Sequence, residues 1–199
     1  ITDLSYWIEE GLNSPSTKIW VKVPFIPASS SKKIYLCYGD FSLKPASNIK
    51  TTFVIGDDFE DRSLDTNIWT WIREPVGFWD EGQTMQGWLM MKTVDGGVWW
   101  TYTPDGPILR SKADLVNLNY EVIVRVKINP YQNFHQANLF IYSDDYHHLR
   151  VNRLYQSGNG RQSAEFCFRL GESRQRRWIL VKSTDVLLKI LKVDNTYSG

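Results

Sequence analysis

Apolar and polar positions alternate with a period of two in one run after another. Over residues 120–128, Tyr120, Val122, Val124, Val126 and Ile128 fall on one side and Glu121, Arg125 and Lys127 on the other, the pattern of a half-buried strand. Ile19-Trp20-Val21-Lys22-Val23 and Lys33-Ile34-Tyr35-Leu36-Cys37-Tyr38 are shorter runs of the same kind, each bounded by Pro, Ser or Gly, and read as strands. Further strands are expected at 87–93, 98–103, 136–142, 148–153, 163–170 and 178–182. Asp95-Gly96-Gly97, Pro104-Asp105-Gly106-Pro107, Asn129-Pro130 and Ser157-Gly158-Asn159-Gly160 supply turns between them. No segment sustains a helical period. Residues 186–193 are too densely apolar for periodicity to decide, and they are read as a strand.

Many short strands with Gly and Pro turns predict an all-β fold, an antiparallel β-sandwich or jelly roll. The absence of a fixed-period repeat argues against a propeller or solenoid. Near Ile55-Gly56-Asp57-Asp58 a Pro-, Ser- and Lys-rich part gives way to one rich in Trp, Arg and Asp. This shift places a smaller, partial accessory β-domain at 1–55 and the sandwich at 56–199.

Composition adds to this picture in three ways. The chain has 199 residues, 42% hydrophobic and 23% charged, which is an ordinary globular balance and excludes disorder over most of its length. Its formal charge of +1 offers no global attraction to nucleic acid or anionic lipid, so no nucleic-acid partner is expected. No apolar run approaches the roughly 20 residues needed to span a bilayer, so no membrane segment is read in this chain. The first residue is Ile1, which reads as a processed protein or an excised piece. Cys37 and Cys167 lie far apart with no Cys/His cluster, so a zinc site is unsupported. They are either one long-range disulfide or two buried thiols, the latter favoured by their apolar surroundings.

Two blocks of sequence resemble known families. Tyr6-Trp7-Ile8-Glu9, Ile19-Trp20-Val21-Lys22-Val23-Pro24, Ile26-Pro27-Ala28 and Ile34-Tyr35-Leu36-Cys37-Tyr38-Gly39 resemble the C-terminal half of a domain of unknown function found in archaeal and bacterial surface or secreted proteins. That resemblance implies an extracellular or cell-surface accessory role and supplies no catalytic residue. Family members usually carry further strands upstream, so a domain that is either cut open or completed by another chain is expected. Asp57-Asp58-Phe59-Glu60-Asp61, Trp69-Thr70-Trp71-Ile72-Arg73-Glu74 and the run from Phe134 through Asp144-Asp145 to Leu149 are similar to concanavalin A-like lectin/glucanase domains, in particular the C-terminal sandwich of β-xylosidases. Asn138 stands where that family usually has Gly. The family continues with one or two strands beyond the last ones here, so truncation is expected at the C-terminus.

Candidate chemistry follows. Glucanases of that superfamily use glutamates spaced along one strand, and no such spacing occurs here. The pairs Glu9-Glu10, Asp57-Asp58 and Asp144-Asp145 are neighbours that diverge on a strand and cannot flank a glycosidic bond. A non-catalytic module is therefore expected. Asp57, Asp58 and Asp61 form an acidic opening that could hold a structural Ca²⁺ through carboxylate oxygens, or could be a solvated turn. Asp144 and Asp145 read as a hairpin turn.

Nine Trp, ten Tyr and nine Phe supply both core and flat platforms for sugar rings. Arg73, Trp79, Trp99, Trp100 and Tyr102 are the residues expected to bind carbohydrate, with a glycan or cell-surface polysaccharide as the partner. Neighbouring copies, or other domains of a larger surface protein, are further expected partners. The arginines between 150 and 177 read as a solvated outer face, and His135, His147 and His148 as surface histidines.

Overall fold

The computed structural model describes residues 2–40, 42, 46–97, 105–159 and 161–199, without the side chains of Asn159 and Arg161. It is mostly β, with antiparallel sheets, one short helix and no closed barrel. The chain divides into two compact units, Ile1–Trp69 with Asp80–Met90, and Thr70–Trp79 with Met91–Gly199. The expected strand over 98–103 lies outside the described residues. No helix among the described residues is long and apolar enough to cross a membrane.

The first unit opens with a two-stranded antiparallel hairpin, β1 (Tyr6–Glu10) and β2 (Lys18–Val21). Trp7 faces Trp20 across the ladder, and both rings meet Phe53 edge-on at 5.9 and 5.5 Å. The helix α1 (Ile49–Thr52) closes this small aromatic core with buried Ile49. Its N-cap, Asn48, accepts from the Thr51 amide at 3.1 Å, satisfying one amide of the helix's first turn. A Cβ on Gly56 would stand 2.7 Å from Ile49 Cγ1, so only glycine lets the chain pass there.

The expected strand at 33–38 does not form: those residues are irregular and exposed. Alternation confers strand structure only where a neighbour completes the ladder, and this segment has none among the described residues. Cys37, expected buried, is exposed with it, whereas Cys167 is buried, and both are free thiols.

In chain order there follow β3 (Trp69–Ile72), β4 (Trp79–Glu81), β5 (Leu89–Met91), β6 (Ile108–Ser111), β7 (Tyr120–Lys127), β8 (Gln136–Asp144), β9 (His147–Gln156), β10 (Arg161–Leu170), β11 (Ser173–Leu180), β12 (Asp185–Val193) and β13 (Thr196–Ser198). Strands β3 and β6 form one two-stranded ladder, and β4 and β5 another. The second unit is built on two larger antiparallel sheets, β11-β10-β9-β8 and β13-β12-β7.

Buried Val151, Leu188 and Ile190 form the core of the second unit. Val122, Val124 and Val126 from β7 pack on them with Leu139, Ile141, Leu149 and Phe166 from the four-stranded sheet, so the two sheets meet face to face. Tight turns connect the long strands. Gly171 takes φ +60° between β10 and β11, a left-handed conformation that glycine adopts at little cost.

The second face of the four-stranded sheet departs from the expected pattern. The register puts Asn138, Phe140 and Tyr142 beside Asn152, Arg150 and His148, and those beside Glu165, Cys167 and Arg169. His148, Arg150, Asn152, Glu165, Cys167 and Arg169 are all buried. The arginines at 150, 153 and 169 are therefore not a solvated outer face, and His148 is not a surface histidine. On the opposite face, Arg153 is fully buried and donates to the carbonyls of Ser183, Leu154 and Ser163 and to the Gln162 side chain. A guanidinium with several donors can be buried when backbone carbonyls receive them.

Candidate functional site

In the second unit a cleft of about 320 Å³ is lined by Arg73, Glu74, Pro75, Val76, Phe78, Val94, Asp105 and Pro107. The chain leaves β3 with Arg73 at φ 60°, a strained conformation for a non-glycine residue, and Pro75 then ends the extended run. Three hydrogen bonds hold Arg73 in that pose. Its Nε donates to the Gly106 carbonyl at 2.9 Å, and its two terminal nitrogens donate to Asp145 Oδ1 and Oδ2 at 2.9 Å each. The bidentate fork is the strongest form of this pairing.

Tyr142 adds its hydroxyl to Asp145 Oδ1 at 2.8 Å. Burial pushes the Asp145 carboxyl upward, but the bonds from Arg73 and Tyr142 outweigh it and hold the group below its ordinary value. Arg73 thus braces one wall of the cleft, with its fork directed at Asp145. Asp144 is the last residue of β8 and Asp145 opens the turn into β9, at the hairpin expected of the pair.

Aromatic surface lies beside this brace. Phe78 is about half exposed in the cleft wall. Trp79 follows it, packed at 5.3 Å on Trp71, with its Nε1 donating to Glu74 Oε1 at 2.9 Å. Asp105 accepts from the Gly97 amide at 2.8 Å. The cleft therefore joins one exposed ring to two carboxylates. Of the residues expected to bind carbohydrate, the structure brings Arg73 to this cleft and Trp79 beside it. Trp99, Trp100 and Tyr102 lie outside the described residues. Phe78, in the same Gly77-Phe78-Trp79-Asp80 loop, was missed because a single Phe in a loop carries no pattern of its own.

The acidic opening lies in the first unit. Asp57 accepts from the Phe59 amide at 3.0 Å and from Trp69 Nε1 at 2.8 Å. Asp58 accepts from the Glu60 amide at 3.5 Å. Asp61 accepts from the Ser63 amide at 3.4 Å and from Lys50 Nζ, which stands 3.1 Å from both Asp61 and Asp65. These carboxylates serve local turns, an indole and an ammonium. Among the described residues no group of three or more His, Cys, Asp or Glu is placed to hold a metal ion.

Sequence reasoning also missed Glu81, on β4. It is 3% exposed, with the Asp61 side chain and the Ser63 backbone beside its carboxyl. Burial, reinforced by the neighbouring Asp61 and Asp57, pushes its carboxyl up to about 7. Two carboxylates this close cannot both stay ionised in a poorly solvated place. The only signal in the sequence is the acidic opening itself, and it names no partner on a strand further along the chain.

The buried polar face of the four-stranded sheet is a third concentration of chemistry. Burial, with Arg150 alongside, drives His148 down to about 4. Burial raises the carboxyl of Glu165 against the pull of Arg176, whose guanidinium lies 3.5 Å away. Arg150 Nε donates to Cys167 Sγ at 3.1 Å. The acceptor oxygens of Asn138 and Asn152 and the Ser163 hydroxyl are buried without a hydrogen-bond partner among the described residues.

No curated protein and no solved structure matches this chain. Residues 1–72 match a family described as a domain of unknown function, DUF2341. That match runs past the composition shift at 55 and takes in both the acidic opening and β3. The chain thus carries a DUF2341 domain at residues 1–72, and the comparisons assign no family to the β-sandwich that follows.

Proposed function

We propose that the chain is a non-catalytic extracellular or cell-surface module that binds carbohydrate, its sandwich being of the concanavalin A-like kind. The observation that carries this reading is the cleft at 73–78. It offers an exposed Phe78 ring on which the CH face of a pyranose can stack, with the Glu74 and Asp105 carboxylates placed to accept sugar hydroxyls. Trp71 and Trp79 lie close enough to report occupancy through their fluorescence.

The test is a glycan-array screen of the whole chain with and without Ca²⁺, followed by tryptophan-fluorescence titration of each hit. A saturable hit that weakens about tenfold in Phe78→Ala supports the reading, and Ca²⁺ dependence would bring the Asp57, Asp58 and Asp61 turn into it. A folded chain that binds no glycan, or binds one equally well without the Phe78 ring, overturns the reading.

A second reading, a structural surface subunit that assembles with neighbouring copies, is favoured by one observation. Residues 34–38 expose four large apolar side chains, and among the described residues no strand pairs with them.

A further inference from the structure

Residues 32–40 read Lys-Lys-Ile-Tyr-Leu-Cys-Tyr-Gly-Asp. Ile34, Tyr35, Leu36 and Tyr38 are 48%, 85%, 69% and 90% exposed. Among the described residues, the backbone of 31–39 makes no hydrogen bond to the rest of the chain. A strand-forming sequence with apolar side chains in water and an unpaired backbone is a template for another strand.

The run is complementary to itself. Laid antiparallel on a second copy with Leu36 opposite Leu36, it sets Lys32 opposite Asp40 and Ile34 opposite Tyr38 on one face. Tyr35 then meets Cys37, and Lys33 meets Gly39, on the other face. Every pair is apolar, oppositely charged or neutral to its mate, and no like charges face each other.

Neighbouring registers lose this match. Centring on Cys37 places Ile34 opposite Asp40, and centring on Tyr38 places Leu36 there. Centring on Tyr35 sets Lys32 and Lys33 against Tyr38 and Cys37, and centring on Ile34 sets them against Leu36 and Tyr35. Among two-fold registers, in which one residue faces its own counterpart, the Leu36-centred one alone brings two lysine–aspartate pairs together while keeping the apolar residues facing one another.

We propose that two copies of this chain pair through residues 32–40 in a two-fold antiparallel β-ribbon centred on Leu36. The partner is thus a second copy, and the contact is isologous. This deepens the surface-subunit reading and is independent of the carbohydrate cleft. A two-stranded ribbon is a marginal unit by itself, so pairing is expected to be concentration dependent and to strengthen where many copies are displayed together.

Cross-linking and sedimentation of the whole chain test it. Directly opposed residues in an antiparallel pair have Cα atoms about 4.5–5.5 Å apart, inside the range a disulfide spans. Cys37→Ser/Leu36→Cys should therefore oxidise to a covalent dimer. Cys37→Ser/Tyr38→Cys, whose new thiol faces Ile34, should not. In sedimentation equilibrium Asp40→Lys should raise the dimer Kd about tenfold by setting like charges opposite each other. Lys32→Asp/Asp40→Lys should restore it. All of these positions are exposed, so the variants test pairing and not folding. A chain that stays monomeric at every attainable concentration overturns both the pairing and the subunit reading. A dimer that ignores the charge swap and cross-links as readily at 38 as at 36 overturns this ribbon while leaving the subunit reading standing.

Discussion

Strand β7 and residues 34–38 present the same alternation of side chains to very different surroundings. On β7, Val122, Val124 and Val126 lie against Leu188 and Ile190 of the neighbouring β12 and Val151 of the facing sheet. Among the described residues, 34–38 have no ladder and no facing layer, and side chains equally apolar stand in water. Period-two patterning states which face a strand would bury. Whether a strand forms depends on a second surface, and that surface is a property of the whole fold or of a partner chain.

Truncation at the two places should make the difference measurable. Ile190 is 0% exposed, and Ile190→Ala removes methylenes from a filled core, at an expected cost of about 3–4 kcal/mol. Leu36→Ala removes an exposed side chain, so its cost to the folded monomer should stay within about 0.5 kcal/mol. Urea unfolding of both variants at low protein concentration checks this. Equal losses would mean that 34–38 packs on the chain in a way the comparison of the two regions denies.

The same dependence on surroundings decides what could be read from the sequence. Strand β7 was legible because Val122, Val124 and Val126 alternate with Glu121, Arg125 and Lys127, and β8 and β10 because Ala137, Leu139 and Ile141, and Ala164, Phe166 and Phe168, recur at alternate positions, whereas β12 is apolar on both faces and shows no period of its own. Strand β9 was legible only in part. His148, Arg150 and Asn152 look like an outer face and are buried, because polar side chains of adjacent strands form a layer with one another, and no local pattern announces that. The short strands β3 and β6 contain too few residues to show a period. At the site, the Arg73 position was legible from the Trp-x-Trp-x-Arg-Glu run. Its partner Asp145 was not, since the two lie 72 positions apart. Glu81 was invisible for a similar reason: its carboxyl matters through Asp61 and Asp57, on another segment.

Glu81 extends the comparison from apolar to ionisable burial. Its folded-state value of about 7 exceeds its ordinary 4.5, so the folded chain holds a proton that the unfolded chain releases. The associated stability is complete below about pH 4.5, falls as pH rises through the interval, and is gone above about 7. At pH 8 the buried charge has lost its proton, and the penalty follows from the size of the shift, roughly 3 kcal/mol. Glu81→Gln keeps the shape without the charge. It should be more stable than the parent at pH 8 by up to that amount, and should flatten the stability profile between pH 5 and 7. A parent profile that is flat over the same interval would mean that water reaches this carboxylate and that Asp61 does not repel it.

A smaller effect than at Ile190 or Glu81 is expected where charge, and not apolar packing, joins distant segments. Arg73→Lys retains the positive charge but cannot present a planar fork to both Asp145 oxygens while also reaching the Gly106 carbonyl. The pair is only partly exposed, 28% and 21% at the two side chains, so losing two of its three bonds should cost about 1–2 kcal/mol. Its pH dependence runs opposite to that of Glu81. The Asp145 carboxyl is held below its ordinary 3.8, so its contribution is present above that value and disappears as pH falls through the still lower folded-state value. Arg73→Lys should narrow the gap between neutral and acid stability, leave the pH 5 to 7 interval unchanged, and speed amide exchange at the β8–β9 turn without affecting the amides of β7 and β12. Were exchange to quicken across β7 and β12 as well, the Arg73 brace would belong to the sandwich core, and the division between a packed core and a charge-tied cleft would fail.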